Sequence, residues 1–208
     1  MPVDGTDTSS VTVVVVARLA YRKGIDLLIA TAPRICALFP NVRFLIGEGV
    51  RVRMRKPCPL TDLAGGDGPK MIDLLQMREK YLLQDRIEIL GPVRSNEVQN
   101  VSESMLLVAF GHILTHQQVL NQGSIFMNTS LTESFGIATL EAACTGLYVV
   151  STRVGGVPEI LPEDLISFAN PDEDGERTPC LFNLLLTFVV RCCKSHVRSD
   201  SNRLCREA

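Results

Sequence analysis

Between Leu131 and Ala143 the chain reads Leu-Thr-Glu-Ser-Phe-Gly-Ile-Ala-Thr-Leu-Glu-Ala-Ala. Two carboxylates, Glu133 and Glu141, stand eight positions apart, the first ahead of a helical pattern and the second within it. Eight helical residues rise about 12 Å, roughly the reach from a sugar across a diphosphate to a ribose. Between them lie Phe135, Gly136 and Ile137. Their backbone N–H groups fall at the start of the helix, where no intrahelical carbonyl accepts from them. Such donors, aligned with the helix dipole, form an anion site. Gly136 would let a phosphate approach the backbone closely. Acidic residues also open ordinary solvated helices, so the spacing points to chemistry only in company.

Three further stretches supply that company. Arg18 and Lys23 follow the first apolar run, and two cations at the mouth of a parallel sheet could grip a diphosphate. Arg22, between them, is a decoy, because any of the three could face solvent. Gly65-Gly66-Asp67-Gly68-Pro69-Lys70 is a glycine turn opening a helix; it is neither GxGxxG nor a Walker A sequence, which weakens nicotinamide and P-loop readings. Val154-Gly155-Gly156-Val157-Pro158-Glu159 is a tight turn after a strand, and taken alone is only a turn.

The elements that must carry these residues alternate. Val11–Val16 is a β-branched run apolar on both faces, the pattern of a buried parallel strand. Ile25 to Phe39 reads as a helix that Pro33 should split or kink. Strands are expected at Asn41–Ile46, Arg86–Leu90 (ending at Gly91), Gly123–Asn128, Leu147–Ser151 and Leu165–Phe168. Helices are expected at Met71–Tyr81, from Glu97, and at Gly136–Thr145, the last stopped by Gly146. Strands alternating with helices predict an α/β, Rossmann-like doubly wound parallel sheet. In such sheets ligands sit beyond the carboxyl ends of the strands.

Composition excludes several classes. With 208 residues, 46% hydrophobic and 21% charged, the chain is globular rather than fibrous or disordered over most of its length. A net charge of −2 and the absence of Trp argue against nucleic acid as a partner. Seven Cys without a CxxC pair argue against structural zinc and for a reduced, cytosol-facing chain. No signal peptide is expected over the polar residues 1–10, and Leu181–Val190 is about half a bilayer span. Asp172-Glu173-Asp174, which has the Asp-x-Asp form of some metal sites, reads as a solvated acidic turn. His112 and His116 lack the Glu of HExxH. Asn100-Val101-Ser102 and Asn128-Thr129-Ser130 have the form of glycosylation acceptors that a cytosol-facing chain would not use. Cys144, on the motif helix, is expected to be a small core residue.

Taken in order, ARLAYRKGIDLL, GDGPK, ILGPV, NTSLTESFGIATLEA and GLYVVSTRVGGVPEILPE resemble retaining GT-B glycosyltransferases with an E-x7-E motif. More closely, they resemble the catalytic subunits of phosphatidylinositol N-acetylglucosaminyltransferases. The resemblance covers residues 11 to about 172 and implies one of the two domains of a GT-B enzyme, the donor-binding half, with the acceptor domain missing. It implies that Arg18 and Lys23 bind the donor pyrophosphate and that Glu133 lies by the donor sugar. It places the ribose on Glu141, the phosphates on the N–H groups of Phe135, Gly136 and Ile137, and the uracil beside Gly91 and Pro92. No metal and no cofactor is expected. The substrates implied are UDP-GlcNAc and phosphatidylinositol, in the first step of GPI-anchor biosynthesis. The partners implied are the other members of a multi-subunit complex, at the cytosolic face of the endoplasmic reticulum membrane. Without its first domain the isolated chain is expected to be inactive. The alternatives are another retaining E-x7-E transferase, of mannosyl or sucrose type, and a non-catalytic truncated fragment.

The expected organisation is a polar N-terminus (1–10), a nucleotide-sugar-binding domain (11–175) with insertions at 48–65 and 102–118, and an aberrant, disordered tail (176–208). The insertions interrupt otherwise contiguous motifs without a pattern of their own. They are therefore expected to be translated introns or gene-model errors, and the tail from about Glu176 another such stretch. Mature transcripts retaining both stretches would remove that expectation.

Overall fold

The computed structural model describes residues 10–50, 70–94, 114–170 and 182–190. Its strands are β1 (Val11–Ala17), β2 (Val42–Val50), β3 (Ile87–Arg94), β4 (Ile125–Asn128), β5 (Tyr148–Thr152) and β6 (Ile166–Ala169). They form one six-stranded sheet in the order β3-β2-β1-β4-β5-β6, parallel throughout. The helices are α1 (Ile25–Leu38), α2 (Met71–Lys80), α3 (His116–Leu120), α4 (Ile137–Cys144) and α5 (182–190). Short 3-10 turns lie at Tyr21–Lys23 and Val157–Glu159.

The valine run explains why the sheet is covered on both faces. Side chains alternate along a strand. Val11, Val13 and Val15 pack into one buried cluster with residues of α1, α2 and α5; Val14 and Val16 pack into another with Val119 and Leu120 of α3 and Ala142 of α4. Fully burying each such side chain contributes roughly 1.5–3 kcal/mol relative to exposure. The doubly wound α/β class expected from the sequence is the one observed.

Several boundaries differ from expectation. Pro33 does not split α1, which runs unbroken through it. Leu28, Ala32 and Ile35 are wholly buried on either side, and that packing outweighs the one helical hydrogen bond proline cannot donate. β2 does not stop at Ile46. Glu48–Val50, the opening of the first expected insertion, continue it, paired with Pro92–Arg94 across a register shift at Ile46/Gly47. β3 accordingly does not end at Gly91: Gly91 (φ 68°) and Pro92 lie within the strand rather than in a loop after it. Part of the second expected insertion is also ordered, because Thr115 caps α3 by accepting from the Gln118 N–H while the Gln118 side chain accepts from the Thr115 N–H. The tail from 176 is not disordered throughout: α5 buries Leu185, Phe188 and Val189 against the sheet. Its Phe188 ring lies 4.2 Å from that of Tyr148, and Arg34 of α1 sits 4.0 Å over Phe182. The helix expected from Glu97, Gly65–Pro69, His112 and Asp172–Asp174 lie outside the described residues.

Candidate donor-binding site

β1 and β4 are neighbours at the centre of the sheet, and β1 is followed by a crossover to β2 on one side while β4 leads to β5 on the other. The strand order reverses between them, which opens a crevice at their carboxyl ends. Arg18 is the first residue beyond β1 and is exposed; Lys23 ends the 3-10 turn five residues on; Glu133 lies in the loop after β4.

The two loops are tied together by their backbones. The Leu131 N–H donates to the Arg22 carbonyl (2.9 Å), and the Thr129 hydroxyl donates to the Lys23 carbonyl (2.7 Å). Between these bonds Gly24 adopts φ +63°, and a Cβ built there would stand 1.8 Å from the Thr129 carbonyl oxygen. No residue but glycine fits this approach without a shift of the backbone. The result brings the Lys23 ammonium onto Oε2 of Glu133 as a short ion pair, with each side chain about four-fifths buried (19% and 18% exposed).

A buried polar network backs Glu133. The Ser130 hydroxyl lies 2.8 Å from Oδ1 of Asn128 and 3.5 Å from Oε2 of Glu133. The Asn128 amide donates to the Ser151 hydroxyl (3.0 Å), and the Thr152 hydroxyl donates to the Ser130 carbonyl. Buried polar groups satisfied in this way hold one geometry. From the β5 side, the Gly156 N–H donates to the Glu133 carbonyl (3.1 Å).

Gly136 caps α4 in the left-handed conformation (φ 78°). Among the described residues, no backbone carbonyl accepts from Phe135, Gly136 or Ile137, so these donors open α4 as expected. The side chains of Phe135 and Ile137 are half exposed. Only Ile137–Glu141 of the motif is helical between the two carboxylates, a rise of about 6 Å, and the loop supplies the rest of the separation. Glu141 is one-fifth exposed and accepts from Nδ1 of His116 (3.1 Å). An ionised carboxylate can only accept, so this nitrogen carries the proton. Among the described residues, Nε2 of the same ring is buried without a partner. Cys144 is exposed at the end of α4, not in the core, because it falls on the face of the helix turned from Ala142.

Lys70 does not join the site. It donates to Asp26 (2.8 Å) and Asp73 (2.9 Å), and these bonds, Asp26 foremost, hold its ammonium well above the usual lysine range despite some desolvation. Its backbone N–H donates to the Leu19 carbonyl, which ties α2 to the loop after β1. Among the described residues no three His, Cys, Asp or Glu side chains gather to hold a metal, and no helix is long and apolar enough to cross a membrane.

Sequence reasoning does not single out Asn128, Ser130, His116 or Gly24 as site residues, and it notes Gly155 and Gly156 only as part of a turn. Glycine at a close approach reads like glycine in any turn, and His116 is distant from Glu141 along the chain. The one signal that could find them is that Gly24 and Gly155–Gly156 each follow a strand that the topology brings beside β4.

A parallel sheet of this order is a Rossmann-like domain of the kind found in the GT-B fold. Solved structures share the fold: Anabaena Alr3699/HepE in complex with UDP-glucose (TM-score 0.58, 19% identity, covering 90% of this chain and 40% of that one) and the pneumococcal O-GlcNAc transferase GtfA in complex with UDP and GlcNAc (TM-score 0.56, 16% identity, 94% and 31%). The family described as Glycosyl transferases group 1 matches residues 2–174, and the chain belongs to it. Among its relatives is the phosphatidylinositol N-acetylglucosaminyltransferase gpi3 subunit of Schizosaccharomyces pombe, 48% identical over 78% of this chain. Subunits of phosphatidylinositol N-acetylglucosaminyltransferase from Homo sapiens and Arabidopsis thaliana are 44% identical over 78% and 46% identical over 80%. The chain spans under a third of the length of each of these three relatives (28%, 26% and 29%).

Proposed function

We propose that this chain is the donor-binding part of a glycosyltransferase that moves N-acetylglucosamine from UDP-GlcNAc to phosphatidylinositol, the first step of GPI-anchor biosynthesis. The observation that carries the reading is 44–48% identity to subunits of that name across about four-fifths of the chain. More distant relatives of other specificity, such as the sulfoquinovosyl transferase of Arabidopsis thaliana, reach 33% over 46% of the chain.

The geometry supports a mechanism in which Arg18 and Lys23 receive the pyrophosphate while the N–H groups of Phe135, Gly136 and Ile137 donate to its oxygens. Glu133 faces the sugar and Glu141 the ribose. The acceptor hydroxyl attacks from the face the diphosphate leaves, and fixed donors stabilise the charge that develops on the leaving group. Cations and the helix dipole then do what a metal does elsewhere, so no metal is required. The acceptor lipid and the other members of the complex would meet parts of the enzyme beyond the segment this chain matches in its relatives, at the cytosolic face of the endoplasmic reticulum membrane.

Calorimetric titration of the 208-residue chain with UDP-GlcNAc and GDP-mannose, each with and without EDTA, tests the reading. Saturable binding of UDP-GlcNAc, unchanged by EDTA and at least about tenfold tighter than GDP-mannose, is expected. A preference for GDP-mannose would move the chain to another E-x7-E transferase, and binding of neither would leave an inert fragment.

A further inference from the structure

The turn after β5 meets the loop that carries Glu133 at distances that only glycine permits. A Cβ on Gly155 would stand 1.9 Å from the Glu133 carbonyl oxygen, and a Cβ on Gly156 would stand 2.2 Å from that of Ser134. Real Cβ atoms do not come so close to a backbone oxygen, so any side chain at either position moves the loop. The Gly156 N–H bonds the same Glu133 carbonyl. A Cβ on Gly24 would likewise stand 1.8 Å from the Thr129 carbonyl oxygen. The loop 129–135 is thus held between two glycine contacts, one from the strand that leads to Lys23 and one from β5.

We propose that Gly155 and Gly156 are positioning residues for Glu133: the missing side chains let the β5 turn set the height of the Glu133 backbone, and so the place of its carboxylate beside Lys23. The proposal deepens the donor-binding reading and rests on it, since Glu133 is there the group that faces the donor sugar. Neither glycine touches the substrate. Their effect falls on recognition of the sugar, while the grip on ribose by Glu141, eight residues further along the chain, is left in place. A misplacement of about 1 Å is enough to lower a positioned group's contribution by about 10²-fold.

The test separates sugar recognition from nucleotide recognition in the 208-residue chain by the ratio of its affinities for UDP-GlcNAc and UDP. Gly156→Ala is the informative variant. Its φ of −82° suits any residue, so only the contact with Ser134 is changed. Gly155→Ala adds backbone strain to its clash, because φ there is +53°. Gly146→Ala is the control: it too has a positive φ (84°), yet a Cβ there meets nothing within 4 Å. Glu133→Gln gives the size of a direct loss. The expected result is that Gly156→Ala shifts the ratio against UDP-GlcNAc by about tenfold or more, in the direction of Glu133→Gln. Gly146→Ala should leave the ratio unchanged. A ratio unaltered in Gly156→Ala, or altered equally in Gly146→Ala, overturns the proposal while the donor-binding reading stands. A wild-type chain that binds no UDP overturns both. If Gly155→Ala fails to fold, Gly156→Ala still decides.

Discussion

Replacing Lys23 by Met removes one charge from the centre of the site, and its consequences for stability and binding come apart. The ion pair with Glu133 is about four-fifths buried on both sides. Exposed pairs contribute at most about 1 kcal/mol, whereas breaking a buried pair costs about 3–5 kcal/mol because a charge is left without its partner. An intermediate burial, with the Ser130 hydroxyl still 3.5 Å from Oε2 of Glu133, places Lys23→Met at a loss of about 1–3 kcal/mol. Lys23→Met with Glu133→Gln removes the stranded carboxylate charge. That double variant should recover about 1 kcal/mol relative to the sum of the single changes. Binding behaves otherwise. If Lys23 meets the pyrophosphate, UDP affinity falls by about 10- to 100-fold in Lys23→Met, as for loss of a charged hydrogen bond worth about 1.5–3 kcal/mol, and the double variant does not restore it. Urea unfolding gives the first quantity and calorimetry with UDP the second. A double variant that regains both stability and UDP affinity would show that Lys23 acts only as the partner of Glu133. A single variant that binds UDP like wild type would refute the assignment outright.

Four other outcomes follow from particular residues. Gly24→Ala places a Cβ 1.8 Å from the Thr129 carbonyl at a positive φ, and its urea midpoint should fall by the equivalent of about 2–4 kcal/mol. His116→Ala removes a hydrogen bond from Glu141 and should weaken UDP binding about 3- to 10-fold; a rise in affinity would show that His116 competes with the ribose for that carboxylate. Burial pushes the Cys36 thiol up, with Arg86 opposing, so the unfolded chain loses this proton before the folded one does. Stability present below about pH 8.5 is therefore expected to decline as pH rises through the folded value. Melting temperatures between about pH 7 and 10 should fall less steeply in Cys36→Ala. Iodoacetamide should label the exposed Cys144 before Cys36.

Much of the fold was legible because its signals are local and periodic. Val11–Val16 is apolar on both faces, which marks a buried parallel strand, and the alternation of strands with helices predicts the doubly wound sheet. Glu133, Gly136 and Glu141 around a helix start suggest an anion site only in company with Arg18 and Lys23 after the first strand. None of these states which strands are neighbours. The pairing of Lys23 with Glu133 exists because β1 and β4 lie side by side, and sequence distance carries no trace of that. The same is true of strand ends. Glu48–Val50 and Pro92–Arg94 extend β2 and β3 because each finds a partner in the other, although neither segment has a strand pattern of its own. α5 is ordered because the sheet offers Phe188 and Leu185 a place to bury, which no reading of a Cys- and Arg-rich tail could supply. The chemistry of each residue type, and the periods of 2 and 3.6 that sort residues onto faces, belong to the amino-acid sequence by itself. Which backbone must pass within van der Waals contact of which other, and hence why glycine stands at 24, 155 and 156, was decided only when the chain closed on itself. Close packing is a property of the assembled interior rather than of any segment.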